Sequence, residues 1–263
     1  MKLKKDGTPS KTTIGELKYK YDAGDILTNK HGDRYKFIKR TNNKVWVEFL
    51  DHRKYCLANP VSSSSAVSGN LKDWYAPTVC GWGYCGFPPE TDSLVYYAWR
   101  GVVSRVKTGR RDTYRCGEIS ELFRCYQDFY YWYRKEELIK DYPYQVDKDL
   151  FSISEHPIYS EDTCCLLPRD VNMAIQDKTR KKKVFKTSKG YHLANNTTNA
   201  WVFPDEIYYF ETPEECIEFY NFVKKDELLK LIEEYKDVLQ PHVILRLKDY
   251  EFDYKYEIVV TEK

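Results

Sequence analysis

The sequence predicts an α+β protein of several modules, on three observations. Near the amino terminus and again near the carboxy terminus, apolar positions alternate with a period of two, as in half-buried strands. In the middle and towards the end, aromatic and aliphatic residues recur at i, i+3, i+4 and i+7, as on the buried face of a helix. Segments rich in turn residues separate these stretches. With 263 residues, 42% of them hydrophobic, the chain has material for a sizeable core, and wholesale disorder is excluded.

The first module, 14–75, is a small antiparallel sheet or barrel. Tyr35-Lys36-Phe37-Ile38 and Val45-Trp46-Val47-Glu48-Phe49 read as its strands. His31-Gly32-Asp33 and Thr41-Asn42-Asn43-Lys44 read as its turns, and Val61 to Gly69 as a serine-rich linker. The second module, 78–176, opens on the glycine-punctuated aromatic stretch Val79 to Gly86, which is not followed by a helix in the manner of a phosphate loop. Leu94–Arg105 reads as a helix with Leu94, Tyr97, Ala98, Gly101 and Val102 on one face. Ile119–Ile139 reads as a second, with Leu122, Phe123, Tyr126, Phe129, Tyr130 and Tyr133 as a core stripe, and Pro143 closes the helical region. Pro168 stands at the start of a helix carrying Asn172 and Ile175. The third module, 181–263, is a small sheet packed on an amphipathic helix. Its strands are Lys183–Lys186, Gly190–Leu193, Ala200–Phe203, Ile207–Phe210 and Tyr254–Val260. Thr212-Pro213-Glu214-Glu215 has the form of a capping box opening the helix.

Composition narrows the function classes. No apolar run reaches the ~20 residues that span a bilayer, and the start MKLKKDGTPSK has no signal-peptide core, so a cytoplasmic protein without a membrane partner is expected. The eight cysteines contain no CxxC pair, which argues against a zinc ribbon. In a cytoplasmic setting they read as reduced, mostly buried thiols. No two of the five histidines stand at the i, i+4 spacing of a helical metal site. The net charge of +2 selects no partner, but its distribution does. Residues 100–135 hold nine Lys/Arg against four Asp/Glu, and 178–189 hold seven Lys/Arg and no acid. Residues 205–237 hold eleven Asp/Glu against four Lys. Such a chain can present one basic face to a polyanion.

Read in order, the motifs resemble a family. Tyr97-Ala98-Trp99…Arg105, Tyr114…Glu121-Leu122-Phe123…Phe129-Tyr130-Tyr131-Trp132, Val146-Asp147-Lys148-Asp149-Leu150, Ile158-Tyr159-Ser160-Glu161-Asp162-Thr163-Cys164 and Pro168…Val171-Asn172 resemble phage HNH-type homing-endonuclease-like proteins. Tyr208 to Cys216, with Phe219, Tyr220 and Lys224, resembles the end of the plant ethylene-response-factor (ERF) type of DNA-binding module. The resemblance implies an HNH-like ββα region in the second module, an ERF-like sheet and helix in the third, double-stranded DNA as partner, and metal-dependent cleavage if the site is intact.

Carried over by position, Asp147 falls where the metal-side acid stands and Lys148 where the base histidine stands. Asn172, or Gln176, takes the last polar position, and Asp149 is the reserve metal ligand. An active site would hold Mg²⁺ or Mn²⁺ on Asp147 and Asp149. An ammonium is charged at neutral pH, so Lys148 would meet a phosphate as a point charge, and His156 would take the proton. The DNA contacts fall on Arg105, Arg110, Arg111 and Arg115 in one basic block and on Arg180, Lys181, Lys182 and Lys183 in the other. The missing base histidine and the acidic third module keep a second reading open: a catalytically dead relative that binds a protein, such as an inhibitor of a host defence nuclease or a DNA mimic in the host cytoplasm.

Overall fold

A computed structural model describes residues 21–87, 90–108, 118–152, 158–176, 181–193 and 208–260. It is an α+β fold in two compact units: Met1–Asp92 with Arg124–Phe129, and Ser93–Phe123 with Tyr130–Lys263. Among the described residues no helix is long and apolar enough to cross a membrane.

The first unit is built on an open antiparallel sheet of β1 (Ile26–Thr28), β2 (Arg34–Thr41), β3 (Lys44–Phe49), β4 (Tyr55–Cys56) and β5 (Val61–Ser62). The order is β1-β2-β3-β4, with β5 also on β3, and the sheet does not close into a barrel. The period of two explains it. Tyr35, Phe37, Val45, Val47 and Phe49 are all buried, and Tyr35 faces Phe49 while Phe37 faces Val47 across the β2–β3 ladder. Each contributes about 1.5–3 kcal/mol by leaving water. Asn42, at φ 53°, makes the turn between these strands, a backbone region that asparagine tolerates better than most side chains.

The serine run expected to be a linker is instead structured. Val61-Ser62 pairs with β3, and α1 (Ser63–Val67) follows, its amino end capped by the Ser62 hydroxyl accepting from the Ser65 N–H at 3.0 Å. A serine side chain that bonds its neighbours' backbone serves a cap as well as a loop. Ala66 is buried, and its carbonyl accepts from the Tyr35 hydroxyl.

In the second unit, α2 (Ser93–Thr108) buries Val95, Trp99, Val102, Val103 and Val106. The buried face is rotated from the expected one: Tyr97 is exposed, because the heavier stripe runs through Trp99 and the valines. The Trp99 indole N–H donates to the Phe123 carbonyl at 2.8 Å. The long helix expected over Ile119–Ile139 is two, α3 (Glu121–Arg124) and α4 (Tyr126–Glu136). The break has a cause within the first unit: the N–H groups of Tyr126 and Gln127 donate to the carbonyls of Tyr84 and Cys85 at 2.9 and 3.1 Å, and so are taken from the helical ladder. Of the aromatic stripe, Phe123 and Tyr133 in the second unit and Tyr126 and Phe129 in the first are buried, as expected.

The rest of the second unit comprises β6 (Gln145–Asp147), β7 (Cys165–Leu167), α5 (Arg169–Ile175), β8 (Lys182–Thr187), β9 (Gly190–Leu193), α6 (Pro213–Glu234), α7 (Pro241–Lys248) and β10 (Tyr256–Val260). The Thr212–Glu215 capping box is formed. The expected strand Ala200–Phe203 and residue Ile207 lie outside the described residues. Leu150, Cys165, Leu167 and Val171 share one core with Tyr220, Leu228, Ile232, Val243 and Leu247. The Tyr250 hydroxyl donates to the Ile175 carbonyl at 3.0 Å, and Arg246 Nε to the Leu150 carbonyl at 3.0 Å. Segments assigned by sequence to the second and third modules thus pack as one body.

Candidate functional site

The residues of the D-K-D segment sit on a strand–strand–helix unit. β6 pairs antiparallel with β7, setting Asp147 opposite Cys165, and α5 follows directly with Pro168 at its amino end. Burial holds the unit in place: Cys165, Leu167 and Val171 are fully enclosed. Asn172 locks the helix to the strand. Its amide donates to Gln145 Oε1 at 2.7 Å, and its carbonyl oxygen accepts from Gln176 Nε2 at 3.0 Å.

Asp147 ends the strand and starts the next turn. It is 4% exposed, and its Oδ1 accepts from the N–H groups of Asp149 at 3.0 Å and Leu150 at 2.9 Å. Burial pushes its carboxyl above the ordinary carboxylate range, with the charge of Asp149 adding to the rise and the two N–H bonds opposing it. Lys148 is also buried. Its ammonium pairs with Asp149 Oδ1 at 2.6 Å and lies 5.8 Å from the centre of the Tyr159 ring. Arg105 approaches the same ring at 5.6 Å. Tyr159 is itself held by backbone bonds to Glu118 and Ser120, and the turn after it is closed by Thr163 Oγ1 donating to the Ile158 carbonyl at 2.6 Å.

This arrangement does not fit a divalent metal on Asp147 and Asp149. One oxygen of Asp147 is occupied by backbone donors, one of Asp149 by an ammonium, and that ammonium would repel a cation. Among the described residues, no His, Cys, Asp or Glu trio with metal-binding separations includes either carboxylate. His156, the expected proton acceptor, lies outside the described residues, as do Arg110, Arg111, Arg115 and Arg180.

The seven described cysteines are free thiols. Burial raises Cys125 and Cys164 to about 12, and Cys216 to about 11. The thiolate is the reactive form, so Cys56 and Cys80, which are exposed, should alkylate in native protein before Cys125, Cys164, Cys165 and Cys216. Timed alkylation read by peptide mass tests this. Equal rates at Cys80 and Cys165 would contradict it.

The second basic block divides by strand alternation. Lys181 and Lys183 are exposed, but Lys182 points inward, its ammonium 4.6 Å from the Tyr254 ring centre and 5.3 Å from that of Tyr220. The expectation that Lys182 contacts phosphate is therefore corrected: it is a buried cation over aromatic faces. The sheet order is β10-β8-β9, with β10 parallel and β9 antiparallel to β8. α6 covers one face, packing Cys216 and Ile217 on Val184. The opposite face carries Lys183 and Phe185. Phe185 stacks on His192 at 5.6 Å and 19°, and His192 meets Tyr209 edge-on at 5.4 Å. Lys189 lies 5.7 Å from the Tyr209 ring centre. Glu257 stands opposite Lys183 in the parallel register, so one acid sits among these cations. Sequence reading missed this aromatic row, because Phe185, His192 and Tyr209 become neighbours only through strand pairing.

Comparison of the chain with protein-family models, with curated proteins and with solved structures returned no match.

Proposed function

We propose that the chain binds double-stranded DNA, as a homing-endonuclease-like scaffold of the phage HNH/ERF type that holds DNA without cutting it. The supporting observation is the sheet face turned away from α6: exposed Lys183 alternates with Phe185 along β8, exposed Lys181 precedes it at the same parity, Phe185 stacks on His192, His192 meets Tyr209 edge-on, and Lys189 lies against the Tyr209 ring. Ammonium groups on a sheet face can neutralise backbone phosphates, and a strand surface fits the major groove. The acidic residues of α6 belong to the helix behind the sheet, which keeps much of that charge from the phosphates. Cleavage is left out because Asp147 is spent on backbone donors and Lys148 on Asp149.

The test is a salt titration of duplex binding by the wild type and by Lys181→Glu/Lys183→Glu/Lys189→Glu. Lys182 is left unchanged, since its substitution would perturb the core. The triple variant should lose most of its affinity, and the slope of log affinity against log salt should flatten by roughly three, about one unit per phosphate contact. Identical titrations would reject the reading. Wild-type protein with almost no duplex affinity would favour the protein-partner reading, that of a dead relative directed at a host defence nuclease.

A further inference from the structure

Three loops of the first unit bring together Asp33, His52 and Asp73. Asp33 lies between β1 and β2, His52 between β3 and β4, and Asp73 after α1. One carboxylate oxygen of each aspartate and one ring nitrogen of His52 all lie within 4.8 Å of one another. His52 Nε2 is 3.2 Å from Asp33 Oδ1, close to the about 3.4 Å edge of a tetrahedron whose bonds are zinc-like in length.

Each aspartate has one oxygen tied to the protein. Asp33 Oδ2 accepts from Asn29 Nδ2 at 2.8 Å. Buried Asn29 also donates to the Leu71 carbonyl at 3.1 Å, and its own Oδ1 accepts from the N–H groups of His31 and Asp33. Asp73 Oδ1 accepts from the Tyr75 N–H at 2.9 Å and the Tyr55 hydroxyl at 3.2 Å. The remaining oxygen, Asp73 Oδ2, is fully enclosed and has no hydrogen-bond partner, in a residue only 1% exposed. A buried carboxylate oxygen without a donor is costly unless a cation meets it. Arg34, next to Asp33 in the chain, is paired with Asp51 at 2.6 Å, and Arg53, next to His52, is turned onto the Tyr75 ring and hydroxyl.

We propose that Asp33, His52 and Asp73 form a site for a first-row divalent cation of the zinc class, which clamps the three loops together. An imidazole nitrogen beside two carboxylate oxygens selects such ions over Mg²⁺ and Ca²⁺, which prefer all-oxygen shells. Three protein ligands leave a position for water on the side of His52, which is partly exposed. Asn29, bonded to Asp33, is a positioning residue for its ligand oxygen. The site is independent of the DNA-binding reading.

The probe is Co²⁺, whose absorption distinguishes nitrogen and oxygen ligands from thiolates. Full-length protein is stripped with chelator, freed of it, and titrated with Co²⁺. The wild type should take up one equivalent, show visible bands without thiolate-to-cobalt charge transfer, and melt at a higher temperature than the stripped form. Asn29→Ala should weaken uptake by about 10–100-fold. His52→Ala, at a partly exposed loop position that should leave the fold intact, should abolish both the bands and the gain in melting temperature. No uptake by the wild type, undiminished uptake by His52→Ala, or a thiolate charge-transfer band at the first equivalent would each overturn the proposal.

Discussion

Asp147→Ala should lower stability by about 2–4 kcal/mol, and Asp147→Asn should not. The alanine leaves the N–H groups of Asp149 and Leu150 without their acceptor, and Leu150 is 2% exposed, so water does not replace it. Each buried donor left unsatisfied costs about 1–3 kcal/mol. Both bonds end on Oδ1, and an asparagine keeps an oxygen there. The pH dependence separates the two variants further. The folded carboxyl sits above its ordinary value of 3.8. Between that value and the raised one, the folded chain holds a proton that the unfolded chain has released, so wild-type stability falls as pH rises through the window. Asparagine has no such loss. The asparagine variant should therefore gain on the wild type as pH rises from the acid side, then keep its advantage at neutral pH. Urea unfolding of the three proteins across that range measures it. If asparagine were as damaging as alanine, the negative charge itself would be required, and a cation at Asp147 would have to be reconsidered.

Legibility followed the range of the interactions. The strands of the first unit, the capped start of α6 and the core role of Phe123, Phe129 and Tyr133 were readable, because each depends on neighbours within a few positions. The α2 face was misjudged because its valines, Val95, Val102, Val103 and Val106, outweigh Tyr97 only once Trp99 is seen to be enclosed. The break at Cys125 was invisible, since its cause lies at Tyr84 and Cys85, forty residues earlier in the chain. α7 was passed over although Pro241, Val243 and Leu247 carry its signal. The same limit governs the sites. Asp147, Lys148 and Asn172 lie in one strand–strand–helix unit, but whether a carboxylate faces solvent or a backbone N–H is a tertiary fact. The Asp33, His52 and Asp73 cluster has no sequence spacing to announce it. Lys182 and Lys224 look like solvated charges in the sequence and prove to be buried.

Lys224→Ala should be among the most damaging single changes in the chain, at about 3–5 kcal/mol. α6 buries Cys216, Ile217, Tyr220, Lys224, Leu228 and Ile232, so the lysine occupies a position on the apolar stripe. Its side chain is 3% exposed, and its ammonium pairs with Glu227 at 2.6 Å, itself only 13% exposed. An exposed helix pair at this spacing is worth a few tenths of a kcal/mol; the cost here comes from stranding Glu227 in a poorly solvated place. Burial already raises the Glu227 carboxyl above its ordinary 4.5, and Lys224 opposes the rise. Without the lysine the carboxyl moves higher still. The variant then binds a proton on folding over a wider range, so its deficit should be small in acid and grow as pH rises above 4.5. Replacing both partners, as Lys224→Met/Glu227→Leu, removes the charge mismatch and should return stability to the wild-type level or above it. A double-mutant cycle by urea unfolding gives the coupling directly. A loss below about 1 kcal/mol for Lys224→Ala would place the pair with ordinary surface ion pairs and contradict its burial.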